Sequence, residues 1–212
     1  MPVPDFLIDG SDSYPMTVIL AHGAGAAMDT PFMNAFAQGL AKSGLRVVRF
    51  EFPFMADRRD TGIRKPPNRM PILLETWGSV IEAFQDCPLI IGGKSMGGRV
   101  ASMIAADIGN KSSPVMGLVC LGYPFHPAGK PEKLRLDHFE TLQMPSLILQ
   151  GTRDALGSRD DVAGYDLPDC ARVHWLEDGD HSFKPRKKSG RTEQQNWDEA
   201  IQVLAKFAGE IS

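Results

Sequence analysis

The sequence predicts an α/β fold, a three-layer α/β/α sandwich built on a mostly parallel sheet. Short apolar runs of strand length alternate along the chain with segments whose apolar residues recur at helical spacing, which is typical of repeated strand–helix–strand units. Several of these runs end directly in glycine-rich turns. The 212 residues contain no internal repeat, low-complexity tract or linker. We therefore expect a single domain over residues 1–212 with one sizeable core.

Apolar runs bounded by Gly, Pro or polar residues are predicted to be the strands. A first edge strand is expected at 6–8. The remaining strands are predicted at 17–21, 45–52, 88–91, 115–121, 146–150 and 172–176. The connection between the strands at 115–121 and 146–150 is too short to form a large cap domain, so we expect an open site.

Four segments with apolar residues at helical spacing are predicted to be helices. The first follows Asp29 or Thr30, either of which can cap it, has Pro31 in its first turn and ends near Gly44. The others are predicted from Ile72, Leu73, Thr76, Val80, Ala83 and Phe84; from Val100, Met103, Ile104 and Asp107; and from Trp197, Ile201, Leu204, Ala205 and Ala208. Residues 54–69 lack this period and are predicted to form an irregular charged loop.

Composition and charge exclude several classes of protein. Apolar residues make up 42% and charged residues 23% of the chain, as in an ordinary soluble globular protein. The net charge of −3 provides no general attraction to nucleic acid or anionic membrane. No run approaches the roughly 18 apolar residues of a membrane span, and the N-terminus lacks the features of a signal peptide. We expect a cytoplasmic protein with no nucleic-acid or membrane partner, and the sequence indicates nothing about its oligomeric state.

No metal or cofactor site is predicted. The three cysteines, Cys87, Cys120 and Cys170, are odd in number and widely spaced, which fits neither a disulfide framework nor a zinc site. No H-E-x-x-H motif occurs. His126 and His138 have no partners at ligand spacing, and we interpret both as surface residues.

The stretch from Leu89 to Ala101 carries the clearest chemical signal. A short apolar run ends in glycines, a serine follows, and two further glycines lead into a helical pattern. Gly93-Lys94-Ser95-Met96-Gly97 fits G-x-S-x-G, the nucleophile elbow, in which a serine on a sharp strand-to-helix turn projects its hydroxyl above the sheet. Such a turn is crowded two residues before and two after the serine, and glycine stands at both places.

Two other interpretations of this stretch stay open. A glycine-rich turn between a strand and a helix can contain a serine that has no function. The segment 93–95 also resembles the end of a phosphate-binding loop, but the full G-x-x-x-x-G-K-[ST] pattern needs glycine where the chain has Pro88. Too little backbone then remains to surround a phosphate, which argues against nucleotide binding.

Three polar residues, Ser95, Asp154 and His181, lie just beyond the ends of predicted strands. That edge of a parallel α/β sheet is where sites form. A neutral imidazole can accept the serine proton during attack, and a carboxylate can orient the imidazole and stabilise its charged form. The order Ser, Asp, His along the chain is the order that accompanies this elbow. His181 in its polar turn and Asp154 in its own turn could also be structural, and Asp160 or Asp161 could replace Asp154.

In four stretches the chain resembles the α/β-hydrolase superfamily, most closely its small, cap-less group related to dienelactone hydrolases and to the Tex30-like and KANSL3-like proteins. These stretches are His22 to Gly25, Gly93 to Arg99, Gln150 to Asp154 and Gly179 to Phe183, and the resemblance covers roughly residues 15–208. Compared with that fold, the N-terminus is short, and the usual first two strands are expected to be reduced or absent. The resemblance implies a backbone N–H of Ala24 that meets a substrate oxyanion. The N–H of Met96, directly after the nucleophile, is the second expected donor. His22 is interpreted as structural support for this loop.

Basic residues are concentrated in two segments that are expected to open toward the same edge of the sheet. The run 184–191 contributes +5 directly after the candidate histidine, and the segment 54–69 contributes +3. Lys94 adjoins the candidate nucleophile. Lys94, Arg58, Arg59 and Lys184 are therefore candidate substrate-binding residues for an ester that carries carboxylate or phosphate. A solvated basic loop without a ligand is the alternative.

Together these observations predict a serine hydrolase that cleaves a carboxylic ester or thioester through an acyl-enzyme, without a cofactor. The alternative is a non-catalytic binding or scaffolding module that retains the hydrolase fold, because fold does not determine function. The complete set of Ser95, Asp154 and His181 favours catalysis, since a scaffold has no need of all three.

Overall fold

A seven-stranded sheet forms the centre of the computed structural model, which describes residues 3–109 and 113–211. The strands are β1 (Phe6–Asp9), β2 (Thr17–Ala21), β3 (Arg46–Phe50), β4 (Leu89–Lys94), β5 (Val115–Leu121), β6 (Ser146–Gly151) and β7 (Ala171–Leu176). Their order across the sheet is β1-β3-β2-β4-β5-β6-β7. All neighbours are parallel except β1, a short edge strand that pairs antiparallel with β3.

Helices cover both faces of this sheet. They are α1 (Pro31–Lys42), α2 (Pro53–Thr61), α3 (Met70–Ala83), α4 (Met96–Ile108), α5 (Arg159–Val162) and α6 (Glu193–Glu210), with short 3₁₀ turns at Asp137–Thr141 and Lys187–Ser189. The predicted three-layer α/β/α sandwich with a mostly parallel sheet is confirmed. Of the two residues that could cap α1, Thr30 does so, accepting a hydrogen bond from the N–H of Met33.

Successive residues of the central strands face opposite helix layers. On β2, Val18 and Leu20 belong to the apolar cluster formed with α1 and α6, whereas Ile19 and Ala21 belong to the cluster formed with α3 and α4. Every residue of β2 is buried. Because a parallel sheet is covered on both faces, its strands are continuously apolar rather than alternating, which is why they were visible as runs in the sequence.

The prediction of an irregular loop at 54–69 is wrong for its first half, which forms α2. Pro53 occupies the first helical position, where its fixed φ suits a helix. Gly62 ends the helix with a left-handed φ of 71° and donates its N–H to the carbonyl of Arg58. Only Phe54 and Met55 of this helix are buried, so its charged remainder shows no amphipathic period.

Within the residues that the structure describes, no cap domain covers the carboxyl edge of the sheet. The connection from β5 to β6 contains a single 3₁₀ turn and is held down by the buried aromatic rings of Tyr123, Phe125 and Phe139. The edge where β4, β6 and β7 end is therefore open. In residues 3–109 and 113–211, no helix combines the length and apolarity that crossing a bilayer requires.

Candidate active site

Ser95 lies at the turn between β4 and α4, with φ of 52° and ψ of −114°. These angles are uncommon for a residue with a side chain and cost free energy that the surrounding packing must supply. A Cβ at Gly93 would lie 2.2 Å from the carbonyl oxygen of Ala21, and a Cβ at Gly97 would lie 2.4 Å from the same oxygen. The crowding that requires glycine at both positions thus comes from the end of β2, and any larger residue would displace the elbow.

Ser95, His181 and Asp154, which three separate segments contribute, lie together at the open edge of the sheet. His181 Nε2 is 2.8 Å from Ser95 Oγ, and His181 Nδ1 is 2.7 Å from Asp154 Oδ2. A carboxylate only accepts hydrogen bonds, so Nδ1 carries the hydrogen and Nε2 presents its lone pair to the serine hydroxyl. The Asp154 side chain is fully buried, whereas the His181 side chain is 30% exposed, so the imidazole is the accessible member of the pair.

The alternative acids do not reach His181. Asp160 is exposed. Asp161 accepts hydrogen bonds from the N–H and the hydroxyl of Ser158 in the capping box that begins α5, and these bonds lower the pKa of Asp161. The structure therefore brings Asp154, not its neighbours, to the imidazole.

The Asp154 carboxylate is held by groups to which sequence analysis assigned no role. Gln150 Nε2 lies 2.9 Å from Asp154 Oδ2 and 3.1 Å from the carbonyl oxygens of Tyr123 and Gly157. The N–H of Leu156 donates to Asp154 Oδ1 at 2.8 Å. Gln150 is fully buried at the end of β6, and the one signal in the sequence was an amide residue closing an apolar run. Gln150 and His181 therefore share Oδ2, while the Leu156 N–H holds Oδ1, so the orientation of the carboxylate is fixed at both oxygens.

His22 supports the loop that follows β2. It is fully buried; its Nδ1 lies 2.7 Å from the carbonyl oxygen of Gly23, and its Nε2 accepts a hydrogen bond from the N–H of Phe52 at 3.1 Å. Nδ1 is therefore the donor, and burial lowers the pKa of His22. A neutral His22 thus joins the loop that contains Ala24 to the turn between β3 and α2.

A cleft of about 650 Å³ opens directly above Ser95. Its walls are the loop after β2, the start of α1, Leu156, the histidine loop and the start of α6. The lining residues are Gly23, Ala24, Gly25, Ala26, Ala27, Thr30, Pro31, Phe32, Met33, Lys94, Ser95, Leu156, His181, Ser182, Glu193 and Trp197. Most of this surface is apolar. Trp197, predicted only as a residue of the closing helix, contributes its ring to the cleft as well.

Known proteins share this architecture. The family model described as "Alpha/beta hydrolase domain" matches residues 15–209. The chain belongs to the alpha/beta hydrolase family.

Solved structures that are less than 25% identical to this chain in sequence show the same fold. An alpha-beta serine hydrolase homologue from Coxiella burnetii is 18% identical, with 95% of this chain and 89% of that chain covered and a TM-score of 0.68. An α/β serine hydrolase without a lid from Xanthomonas campestris is 21% identical, with 94% and 86% covered and a TM-score of 0.68. A dienelactone hydrolase from Anabaena variabilis is 18% identical, with 97% and 91% covered and a TM-score of 0.69.

The basic residues of this alpha/beta hydrolase are only partly gathered at the cleft. Arg59 forms ion pairs with Glu51 and Asp29, whose hydrogen bonds raise the pKa of its guanidinium. Arg58 donates from Nη1 to the carbonyl of Gly25 at 3.2 Å and lines a smaller hollow of about 360 Å³ beside the cleft. The side chain of Lys94 lines the cleft itself.

The basic run after His181 is also partly neutralised. Arg186 is paired with Asp178, and Arg191 with Glu199. The hydrogen bonds from Arg186 lower the pKa of Asp178 to about 2. Lys184 is exposed near the rim. The local positive field is therefore weaker than the sequence count of +5 suggests.

The interpretation of His126 and His138 as surface residues is wrong. His126 is buried, with Nδ1 2.9 Å from the carbonyl oxygen of Pro127. His138 is half-buried against α4, with Nε2 2.7 Å from Ser102 Oγ. Their short polar loop gives no sign of this, because the α4 surface that covers His138 comes from a distant segment.

Proposed function

We propose that this protein is a serine hydrolase that cleaves a carboxylic ester or thioester through an acyl-enzyme. The observation that carries the proposal is the hydrogen-bonded series from Ser95 Oγ through His181 to Asp154, which ends at an open apolar cleft. Each member of the series has the hydrogen-bonding direction that general-base catalysis needs.

In the acylation step, Ser95 Oγ attacks the carbonyl carbon of the substrate while His181 Nε2 takes the hydroxyl proton. Asp154 holds the imidazole by its Nδ1–H and stabilises the imidazolium that forms. The tetrahedral intermediate then expels the alcohol or thiol, which receives the proton from Nε2. An ester joins the acyl group to Ser95, and the imidazole is neutral again.

The oxyanion of that intermediate is proposed to meet two backbone donors. Met96 begins α4, and the first N–H groups of a helix have no partner within it. Ala24 lines the same cleft as Ser95, in the loop fixed by His22. One such donor is worth about 3–4 kcal/mol of transition-state stabilisation. In the deacylation step, water attacks the acyl carbon with His181 as base, releasing the carboxylic acid and restoring the Ser95 hydroxyl.

The decisive measurement is labelling by a fluorophosphonate probe, which reports an activated serine without needing the true substrate. We expect the wild type to label and Ser95→Ala not to label. Ser102→Ala is a matched control, because Ser102 also lies within hydrogen-bond distance of a histidine yet is fully buried in α4. The control should label like the wild type. A folded wild type that does not label would contradict the proposal and favour the binding or scaffolding alternative.

The cleft suggests the substrate class. Its apolar walls fit a small apolar group, and we propose that Arg58 and exposed Lys184 give a limited preference for esters with an anionic group. In paired assays of neutral and carboxylated nitrophenyl esters of equal length, Arg58→Gln should lower kcat/KM a few-fold for the anionic ester only. Raising the ionic strength should have the same selective effect. Equal sensitivity of both esters would remove the anionic preference and leave the hydrolase proposal intact.

A further inference from the structure

Three consecutive carbonyl groups in the loop that carries the candidate base are held by side chains from other elements. Lys94 Nζ donates to the carbonyl of His181 at 2.7 Å, and Trp197 Nε1 donates to that of Ser182 at 3.0 Å. Asn196 Nδ2 donates to the carbonyl of Phe183 at 2.7 Å. We call Lys94, Asn196 and Trp197 the carbonyl anchors. Asn196 and Trp197 belong to α6, whereas Lys94 ends β4, so Lys94 is the anchor that joins the loop to the strand before the candidate nucleophile.

The contact between Lys94 and the carbonyl of His181 occupies a space left free by a glycine. Gly122, just after β5, has a left-handed φ of 68°. A Cβ there would lie 2.8 Å from the His181 carbonyl oxygen, 3.0 Å from Lys94 Nζ and 3.3 Å from His181 Nδ1. The ammonium, the carbonyl and the imidazole thus converge on one point, and a side chain at position 122 would force them apart.

The Lys94 ammonium is enclosed by groups that leave it little freedom. Its Nζ lies 5.6 Å from the centroid of the Phe32 ring in α1. The charged groups that face it are Asp154 after β6 and Asp180 in the histidine loop, and Glu193 of α6 lines the same cleft. Burial lowers the pKa of Lys94 to about 8, against the opposing effect of the two aspartates. Most Lys94 side chains therefore carry a positive charge at pH values near 7.

We propose that Lys94 is a positioning residue with two effects on the proposed base: its hydrogen bond holds His181 at Ser95, and its charge opposes protonation of the imidazole before attack. This inference rests on the proposed serine-hydrolase function. It gives Lys94 a role other than the substrate contact expected from the sequence, because its ammonium already has a partner within the protein. Lys94 thus holds the backbone of His181, while Asp154 holds its ring at Nδ1.

The sign of the pH effect follows from the charge. Removing a positive charge beside the imidazole makes its protonated form easier to form. Protonated His181 cannot accept the Ser95 proton, so the acid limb of the rate profile must move to higher pH. An anchor without charge, such as Asn196, supports the same loop and should lower the rate without moving that limb.

The test is the rate of fluorophosphonate labelling of Ser95 between about pH 5 and about pH 9, with melting temperatures to verify folding. Lys94→Met keeps the aliphatic stem and removes both donor and charge. Lys94→Gln keeps a donor and removes the charge, and it is the second variant if Lys94→Met does not fold. Asn196→Leu removes a neutral anchor. Lys206→Met removes a lysine of α6 whose side chain is 80% exposed and serves as the control.

For Lys94→Met we expect labelling at neutral pH to slow by about 10- to 100-fold and the acid limb to move up by about one pH unit. Lys94→Gln should show the same movement with a smaller loss of rate. Asn196→Leu should slow labelling with the acid limb in place, and Lys206→Met should match the wild type. An unmoved acid limb in both Lys94 variants would overturn the inference while leaving the hydrolase proposal standing. Absence of labelling in the wild type would overturn both.

Discussion

In the described part of this alpha/beta hydrolase, two serine hydroxyls each lie within hydrogen-bond distance of a histidine ring, and the two distances are almost the same. Ser95 Oγ is 2.8 Å from His181 Nε2, and Ser102 Oγ is 2.7 Å from His138 Nε2. Judged by distance and residue type alone, the two pairs are equivalent. Their surroundings are not, and the comparison shows what a serine–histidine contact needs before it can act as a nucleophile and its base.

The hydrogen bond runs in opposite directions in the two pairs. Ser102 donates its one hydroxyl hydrogen to the carbonyl of Arg99 at 2.8 Å, so His138 Nε2 must donate to Ser102 Oγ. In the described part of the chain, no carboxylate accepts a hydrogen bond from the His138 ring. At His181 the acid occupies Nδ1 and leaves the Nε2 lone pair for Ser95. The direction of the bond, which the acid determines, separates a candidate base from a structural histidine.

Exposure separates the pairs as well. Ser102 is fully buried within α4, where an ordinary helical backbone gives its hydroxyl no access to a substrate. Ser95 stands on a strained turn at the floor of a cleft. The second pair instead ties the β5–β6 connection to α4.

The largest effect is expected when the pair of Ser95 and His181 loses its carboxylate partner, the feature that distinguishes it from the pair of Ser102 and His138. Asp154→Asn places an amide against two donors, the Gln150 side chain and the Leu156 N–H, and it no longer enforces the Nε2 lone pair. We expect turnover of a reactive ester to fall by about 10⁴-fold with the fold retained. Steady-state kinetics with a circular dichroism melt measures this.

Asp161→Asn is the matched control for that variant, because Asp161 lies in the same loop region and caps α5 without reaching His181. Its activity should stay within about threefold of the wild type. Similar losses in both variants would mean that the contact between Asp154 and His181 is structural, and the distinction between the two pairs would fail.

A smaller effect, on stability rather than activity, is expected from the second pair. Burial lowers the pKa of His138 from 6.5 to about 4. Between these two pH values the unfolded chain therefore binds a proton at His138 that the folded chain does not bind. The contribution of His138 to the free energy of unfolding is complete above pH 6.5 and is lost as the pH falls toward 4. His138→Gln, which keeps a donor for Ser102, should reduce the loss of unfolding free energy over this range.

Urea unfolding at several pH values within that window measures the slope. Below pH 6.5 the free energy of unfolding should fall more steeply with decreasing pH in the wild type than in His138→Gln, and above pH 6.5 the two curves should be parallel. Identical slopes would mean that His138 titrates freely in the folded protein, which would contradict its description as a buried neutral donor.

The parts of the site that were predictable leave a local trace in the sequence. Ser95 sits between glycines that the turn requires, and Asp154 and His181 follow apolar runs where parallel strands end. The parts that were not predictable act through contacts without a local pattern. Lys94 reaches a backbone carbonyl 87 positions away, and a carbonyl has no signature in a sequence. The helix α2 escaped prediction for a similar reason, since two buried residues form no period.

By itself, the sequence determined the layer architecture and the family, because a sheet buried on both faces demands continuous apolar strands and a sharp turn demands glycine at fixed positions. It also determined which serine stands at such a turn. Only the tertiary structure decided which histidine presents a hydrogen-bond acceptor to its serine and which donates, how far the basic residues are paired, and what holds the candidate base in place. These properties depend on hydrogen-bond direction, exposure and nearby charge, all of which arise when distant segments are brought into contact.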